Sequence, residues 1–335
     1  MILINSNPVY KLSTYQGILC AFLLFTQTTI TAAELNTSAL ELLDRMSNAT
    51  RELNYDGIFI YRRELSMDTM RLIHKSGNEG VTERLISLTG SPREVIRTRH
   101  SVTCIFPDNK QILVEKSRSH KFLSTQFPES IDRIAEYYDF ANIGEDRVAG
   151  KETWVVVISP RDEYRYGYRL WIDKDSHLLL KSELNGNGGF PLEQILFTQM
   201  EILESIPDEL LKTSINGAGY TLHNSSTVEH YREIQGVYWK AEWMPTGFAL
   251  TNYEQKVNGE DAEAIEHLVY TDGLAMVSVF VEKTDNSPEG SPGVQKMGAV
   301  NVYSELIDGY LVTAVGEVPG ATVRGMATSI VTSHQ

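Results

Sequence analysis

The feature that most constrains this chain is a succession of short runs rich in aromatic and β-branched residues, each closed by a tight-turn cluster. Residues 55–61, 69–75, 82–88, 94–106 and 111–117 form such runs, separated by Gly77-Asn78-Glu79-Gly80, Gly90-Ser91-Pro92 and Pro107-Asp108-Asn109. Links this short join antiparallel neighbours, because parallel strands need a long crossover. An antiparallel meander is therefore predicted. The pattern continues through 147–159 into a hairpin whose first strand, 165–172, alternates: Tyr166, Tyr168, Leu170 and Ile172 share one face, Arg165, Arg169 and Trp171 the other. The chain turns at 173–177, returns with Leu178, Leu180 and Leu184, and a further strand follows at 192–203.

Helices are few. Ser38-Ala39-Leu40-Glu41 fits a capping box, in which the Ser oxygen and the Glu carboxylate satisfy the first unpaired amides, and Leu40, Leu43, Met46 and Leu53 follow at helical spacing. A second helix is predicted over 129–140, just after Pro128. Ile206-Pro207-Asp208 begins a short helical piece, and Asn216-Gly217-Ala218-Gly219 with Asn224-Ser225-Ser226 reads as linker. Beyond them, strands are predicted at 237–243 and 248–255 around Met244-Pro245-Thr246-Gly247. Two Asp-Gly hairpins, at Asp272-Gly273 and Asp308-Gly309, join 265–270 to 274–282 and 300–306 to 310–317. A closing helix is expected at 322–330, and 286–292 is a polar loop. The expected organisation is a large domain over 34–205, a linker over 206–224 and a smaller domain over 225–335, both α+β with antiparallel sheets.

Residues 1–33 stand apart. Lys11 precedes the apolar run Ile18–Phe25, and Thr31-Ala32-Ala33 supplies the small residues of a cleavage site, so a secretory signal peptide cut after Ala33 is expected. The apolar run is too short to span a bilayer, and Cys20 lacks the preceding small residue of a lipobox. Export to the periplasm is the resulting expectation, with a soluble mature chain. The formal charge of −14 over 335 residues becomes −15 with Lys11 removed. Such a surface repels nucleic acid at long range. Only Cys104 remains after cleavage, so no intrachain disulfide forms.

No pattern for catalysis emerges. The eight His residues include no His-x-x-x-His or His-Glu pairing, and no Gly-x-Ser-x-Gly elbow or phosphate-cradling loop precedes a helix. No enzyme activity, metal or cofactor is expected. Binding is the better expectation, and three groups are candidates. Arg161, Tyr164, Arg165, Tyr166, Arg169 and Trp171 combine residue types over-represented in protein-binding hot spots, although a strand whose arginines pair with neighbouring acids has the same composition. Arg93, Arg97 and Arg99 form a local basic stretch that suits a phosphate or carboxylate, or a solvated strand face. Phe59, Tyr61, Leu72, Trp154 and Leu170 could line an apolar cavity for acyl chains, or serve as ordinary core.

The stretch Gly90-Ser91-Pro92-Arg93-Glu94-Val95-Ile96-Arg97 with Cys104 and Pro107-Asp108 resembles the MucB/RseB regulators of the sigma-E (AlgU-type) envelope stress response. So do Arg161-Asp162, Arg165-Tyr166-Gly167-Tyr168-Arg169-Leu170-Trp171-Ile172-Asp173 and Leu179-Leu180-Lys181-Ser182. In the second domain the matching stretches are Tyr270-Thr271-Asp272-Gly273-Leu274, Val277-Ser278-Val279-Phe280, Gly316-Glu317-Val318-Pro319 and Thr322-Val323. Ser176-His177 departs from the family's usual Thr-Gly turn. The resemblance implies an N-terminal open antiparallel β-barrel holding helices in its concavity, similar to the lipoprotein carriers LolA and LolB, and a smaller C-terminal domain. It further implies binding to the periplasmic domain of an inner-membrane anti-sigma factor (RseA or MucA), shielding from the site-1 protease, and release by lipopolysaccharide, lipid A or other acyl chains. A homo-oligomer is left open. The alternative is a periplasmic lipid or lipoprotein carrier.

Overall fold

The computed structural model describes residues 32–117, 131–186, 190–213, 215, 217–224, 239–257, 264–284 and 293–332. Most of the expected signal peptide, Asn216 of the expected linker, Ser225-Ser226, the first two residues of both the expected 129–140 helix and the expected 237–243 strand, and the loop 286–292 lie outside these residues.

The chain opens with helix α1 (Ala32–Glu52), then runs through β1 (Asn54–Arg63), β2 (Ser66–Lys75), β3 (Thr82–Ser87), β4 (Glu94–Arg97), β5 (Ser101–Phe106) and β6 (Gln111–Lys116). After a 3-10 turn at Ile131–Ile134 come β7 (Tyr138–Val148), β8 (Lys151–Pro160), β9 (Gly167–Asp173), β10 (Leu179–Asn185) and β11 (Pro191–Leu203). These eleven strands form one antiparallel sheet in which β11 returns to pair with β1. The order is β6-β5-β4-β3-β2-β1-β11-β10-β9-β8-β7, and the sheet stays open, with free ends at β7 and beyond β6.

Four local expectations are corrected. Helix α1 begins upstream of Ser38, so the expected capping box falls inside it. Residues 94–106 are two strands, because the Thr98 hydroxyl accepts from the amides of His100 and Ser101 and folds a tight turn between them. The described part of 129–140 is one 3-10 turn followed by the start of β7, whose Tyr138 and Phe140 pair with Pro160 and Ile158 of β8 and are buried there. Residues 147–159 are likewise split, by a turn at Ala149-Gly150 with φ of 49° and 79°.

Strands β8 to β10 are buried on both faces. Val156, Ile158, Leu170, Ile172 and Leu179 join Leu42, Leu43 and Met46 of α1 in one cluster. Their neighbours Val155, Trp171, Leu178 and Leu180 point the other way, into a cluster with Phe59, Leu72, Phe197 and Met200. The sheet therefore curls so that β1, β2 and β11 cover what α1 does not.

The short helical piece expected after Ile206-Pro207 is present, and the linker beyond it adds a strand. Helix α2 (Asp208–Leu211) buries Leu211 with Ile73 and Ile206, and β12 (Thr221–Asn224) adds a parallel strand to β6 at the sheet edge. The second domain comprises β13 (Trp239–Ala241), β14 (Ala249–Val257), β15 (Ala264–Thr271), β16 (Met276–Lys283), β17 (Gly293–Met297), β18 (Val300–Ile307), β19 (Tyr310–Gly316), α3 (Gly320–Thr328) and β20 (Ile330–Thr332). Its sheet runs β14-β15-β16-β19-β18-β17, and α3 packs Val323, Met326 and Ala327 against Val279, Val312 and Ala314. β13 pairs with β20 and not with β14, so the two strands that flank Met244-Pro245-Thr246-Gly247 lie in different sheets.

Candidate functional site: the junction of the two domains

The loop between β8 and β9 places Arg165. Asp162 accepts from the amide of Tyr164 at 3.0 Å, which turns the chain. Arg165 then leaves the sheet surface and enters the second domain, 2% exposed. Its Nη1 donates to Asp272 Oδ2 at 2.6 Å, its Nη2 to the Thr246 carbonyl at 2.7 Å and its Nε to Asp162 at 3.1 Å. The rings of Tyr137, Tyr138 and Phe248 lie within 5.2–5.5 Å of the guanidinium carbon.

Asp272 is equally saturated. Oδ2 also accepts from the Tyr138 hydroxyl at 2.9 Å, and Oδ1 accepts from the amides of Leu274 and Ala275 at 2.8 and 2.7 Å. A buried ion pair is worthwhile only when its remaining donors and acceptors are met, and here they are. Burial, reinforced by the Asp272 carboxylate, holds the Tyr138 phenol well above its ordinary pKa, so it stays a donor.

Further contacts extend the junction. Gly247, at φ 92°, lies against the Tyr137 ring with no room for a Cβ. The Thr322 hydroxyl donates to the Tyr164 carbonyl at 2.6 Å, and the Tyr164 ring meets Trp243 edge-on at 5.2 Å. Asn301 donates to Tyr166 Oη at 3.0 Å and to the Val318 carbonyl at 2.7 Å. At the far side Glu193 accepts from Tyr61 Oη at 2.6 Å and from the Ala299 amide at 3.3 Å, while Glu64 accepts from the Gly298 amide at 3.0 Å. Burial, then the Glu193 hydrogen bond, raises the Tyr61 phenol above its usual range.

The residues singled out in the sequence separate into distinct environments. Of the Arg/Tyr/Trp group, Arg165, Tyr164 and Tyr166 belong to the junction. Trp171 is buried on the opposite face, where Nε1 donates to Asp146 at 2.8 Å and Lys181 sits 3.7 Å above its ring. Arg161 is exposed and bonded to Asp139 and the Glu136 carbonyl, and Arg169 remains on the surface 4.0 Å from Glu183. Arg165 and Trp171 are thus spent on internal partners, and the expected basic-aromatic face keeps only Arg169 on its strand.

The acyl-chain candidates also divide. Leu170 and the half-buried Trp154 pack with α1, whereas Phe59, Leu72 and Tyr61 belong to the cluster on the other face. Arg97 and Arg99, with Gly77, Asn78, Gly80, Val81, Glu83 and Thr98, line a pocket of about 410 Å³ between two turns. Arg93, at the other end of β4, does not. Asp272, Tyr138 and Glu193 carry the junction and were not among the candidate site residues; the sequence touched Asp272 only through its Asp-Gly turn and the matching stretch Tyr270–Leu274.

Two family models match, the MucB/RseB N-terminal domain over residues 38–215 and the MucB/RseB C-terminal domain over 233–331. The sigma factor AlgU regulatory protein MucB of Pseudomonas aeruginosa is 32% identical over 87% of this chain and 90% of its own length. The sigma-E factor regulatory protein RseB of Haemophilus influenzae is 29% identical over 88% and 91%. Among solved structures, the complex of Pseudomonas aeruginosa MucA and MucB superposes with a TM-score of 0.72 at 29% identity, covering 89% of this chain and all of that one. With both domain models matched in order along one chain, this protein belongs to the MucB/RseB family.

Proposed function

We propose that this chain is a periplasmic negative regulator that binds the periplasmic domain of a MucA- or RseA-type anti-sigma factor and shields it from site-1 proteolysis. The reading is carried by one observation: similarity to MucB and RseB runs through both domains, and a relative of the same architecture has been solved with MucA. The binding mode is occupancy. A covering protein needs rigid surface on two domains held at a fixed angle, and the saturated Arg165–Asp272 contact supplies that rigidity. Export by residues 1–33 puts it in the compartment of its partner.

Lipid acts as the releasing signal in this reading. Phe59 and Leu170 are buried in separate clusters on opposite faces of the sheet, so in this reading an acyl chain that reaches either one displaces side chains packed there. Lipid entry and rearrangement are then one event, and a differential affinity of about 1–3 kcal/mol is enough to switch the partner off. The pocket at Arg97 and Arg99 is the candidate receptor for an anionic group, and exposed Arg161 and Arg169 are the candidate partner contacts from the original set. Titrating the protein with the anti-sigma periplasmic domain, with and without lipopolysaccharide, tests both halves. Unchanged affinity in the presence of lipopolysaccharide removes the sensing half, and no affinity at all removes the whole.

A further inference from the structure

A polar row crosses the sheet and ends at the pocket of Arg97 and Arg99. Tyr55 pairs with His74, His74 with Glu83 and Glu83 with Arg97, so β1 to β4 each place one of these side chains on the same face. The row begins in the core, where Tyr55, His74 and Glu83 are 2%, 0% and 4% exposed. It reaches the surface at Glu83 and the half-buried Arg97, which line the pocket together with Arg99. The Arg99 stem lies over the Gly77–Gly80 turn, 3.6 Å from where a Cβ on Gly80 would stand. Beyond Arg97 the row continues to Val102 and the exposed Glu115. Lys75 and Arg84 point to the other face, where they bond to Asp208 and Glu94.

His74 and the pocket share one carboxylate. Nδ1 of His74 gives its proton to the Leu53 carbonyl, so Nε2 carries the lone pair while the ring is neutral. That lone pair has no hydrogen-bond partner among the described residues and faces Glu83 Oε1 at 3.9 Å. A proton on Nε2 turns this opposition into an ion pair. Tyr55, stacked on the ring, and Glu83 are the titratable groups that face His74. Glu83 also supports the charge of Arg97, which burial opposes. Two guanidinium groups thus line the pocket against one carboxylate, and that carboxylate is shared with His74; Glu79, on the same turn, is exposed and not among the lining residues. A tetrahedral oxyanion suits this excess, because it accepts from both guanidinium groups at once. With a second counter-charge on Arg97, Glu83 is free to pair with His74, and the added negative charge itself favours the imidazolium.

We propose that the Arg97–Arg99 pocket binds a sulfate- or phosphate-type oxyanion and that its occupancy draws a proton onto buried His74, so that the ion binds more tightly in acid. The inference rests on the reading of this pocket as a receptor for an anionic group and adds what the site senses, ligand and pH together. The coupling is reciprocal: if the bound ion raises the proton affinity of His74, protonation raises the affinity for the ion by the same factor.

The protein is titrated with sodium sulfate, whose charge is constant over the range, by calorimetry at about pH 7.5 and about pH 5.5. All arms carry His100→Gln, because that exposed imidazole beside Arg99 would add a charge of its own in acid. The expected result is sulfate affinity that tightens about tenfold between the two pH values. His74→Gln should keep the affinity at the higher pH and lose most of the tightening, and the exposed Arg99→Gln should weaken binding at both. Circular dichroism checks that each variant is folded. Should His74→Gln not fold, the His74 imidazole resonance of the parent gives the same reading, its pKa rising by about one pH unit when sulfate is bound. Equal tightening with and without His74, or an unmoved resonance, overturns the coupling and leaves an ordinary anion site. No sulfate binding at either pH overturns the proposal and the receptor reading together. Lipopolysaccharide that displaces sulfate supports a shared site, whereas lipopolysaccharide that binds without displacing it overturns only the assignment of this pocket to the lipid.

Discussion

The Arg165 guanidinium and the Asp272 carboxylate meet at 2.6 Å with both side chains fully buried, one from each domain. The pair is the centre of a polar junction in which both Asp272 oxygens are occupied, one by two amides of its own turn, the other by Tyr138 and Arg165. Most of what can be tested follows from this arrangement.

Removing one partner leaves the other as an uncompensated buried charge. Arg165→Met is expected to destabilise the chain by about 3–5 kcal/mol, whereas the double variant Arg165→Met/Asp272→Leu should recover much of that loss. Denaturant unfolding of the single and double variants measures the difference.

Gly247→Ala should fail for two reasons at once. The residue sits at φ 92°, and the new methyl collides with the Tyr137 ring. Backbone strain alone is worth about 1–3 kcal/mol, so a loss at or above the upper part of that range is expected from thermal unfolding.

Trp171 and Arg169 share a face by alternation but not an environment. Trp171→Ala should cost about 3–5 kcal/mol as a core truncation, with any effect on partner affinity following from lost stability. Arg169→Ala should stay within about 0.5 kcal/mol in stability, so that an effect on partner binding reports direct contact. Unfolding and binding measured on the same two preparations separate the cases.

His74 gives a pH dependence. The ring is fully buried, stacked on Tyr55 at 4.5 Å, with Nδ1 donating to the Leu53 carbonyl. Burial lowers its pKa below the ordinary 6.5, against a smaller opposing effect of Glu83. The unfolded chain therefore takes up the proton first as pH falls, and the stability that neutral His74 contributes is present above pH 6.5 and lost on acidification through and below it. His74→Gln should flatten the loss of melting temperature between pH 7.5 and 5, and an identical slope in both proteins would contradict this.

Strand positions were legible wherever a run of β-branched and aromatic residues met a Gly or Asn turn, as at β1, β2 and β3. They were misread where the turn was made by a side chain: Thr98 breaks 94–106, yet Thr is a good strand residue and gave no turn signal. The two Asp-Gly sites show the same limit. Asp308-Gly309 is a two-residue hairpin loop with φ of 49° and 83°, as the dipeptide suggests. Asp272 instead opens a four-residue loop from Thr271 to Met276 and spends its side chain on the other domain. Alternation likewise assigned Leu170 and Trp171 to opposite faces correctly, but gave no sign that both faces are buried. A sheet that curls onto itself buries both, and nothing local in residues 165–172 records a partner more than a hundred positions away.

The central claim, that the chain protects its partner by covering it, is tested most directly by proteolysis. The anti-sigma periplasmic domain is incubated with the site-1 protease while the purified protein is titrated in, and cleavage rate is followed against occupancy measured in parallel. The account predicts that cleavage falls in proportion to the fraction bound and returns when lipopolysaccharide is added. Cleavage at the free rate with the partner fully bound would contradict it.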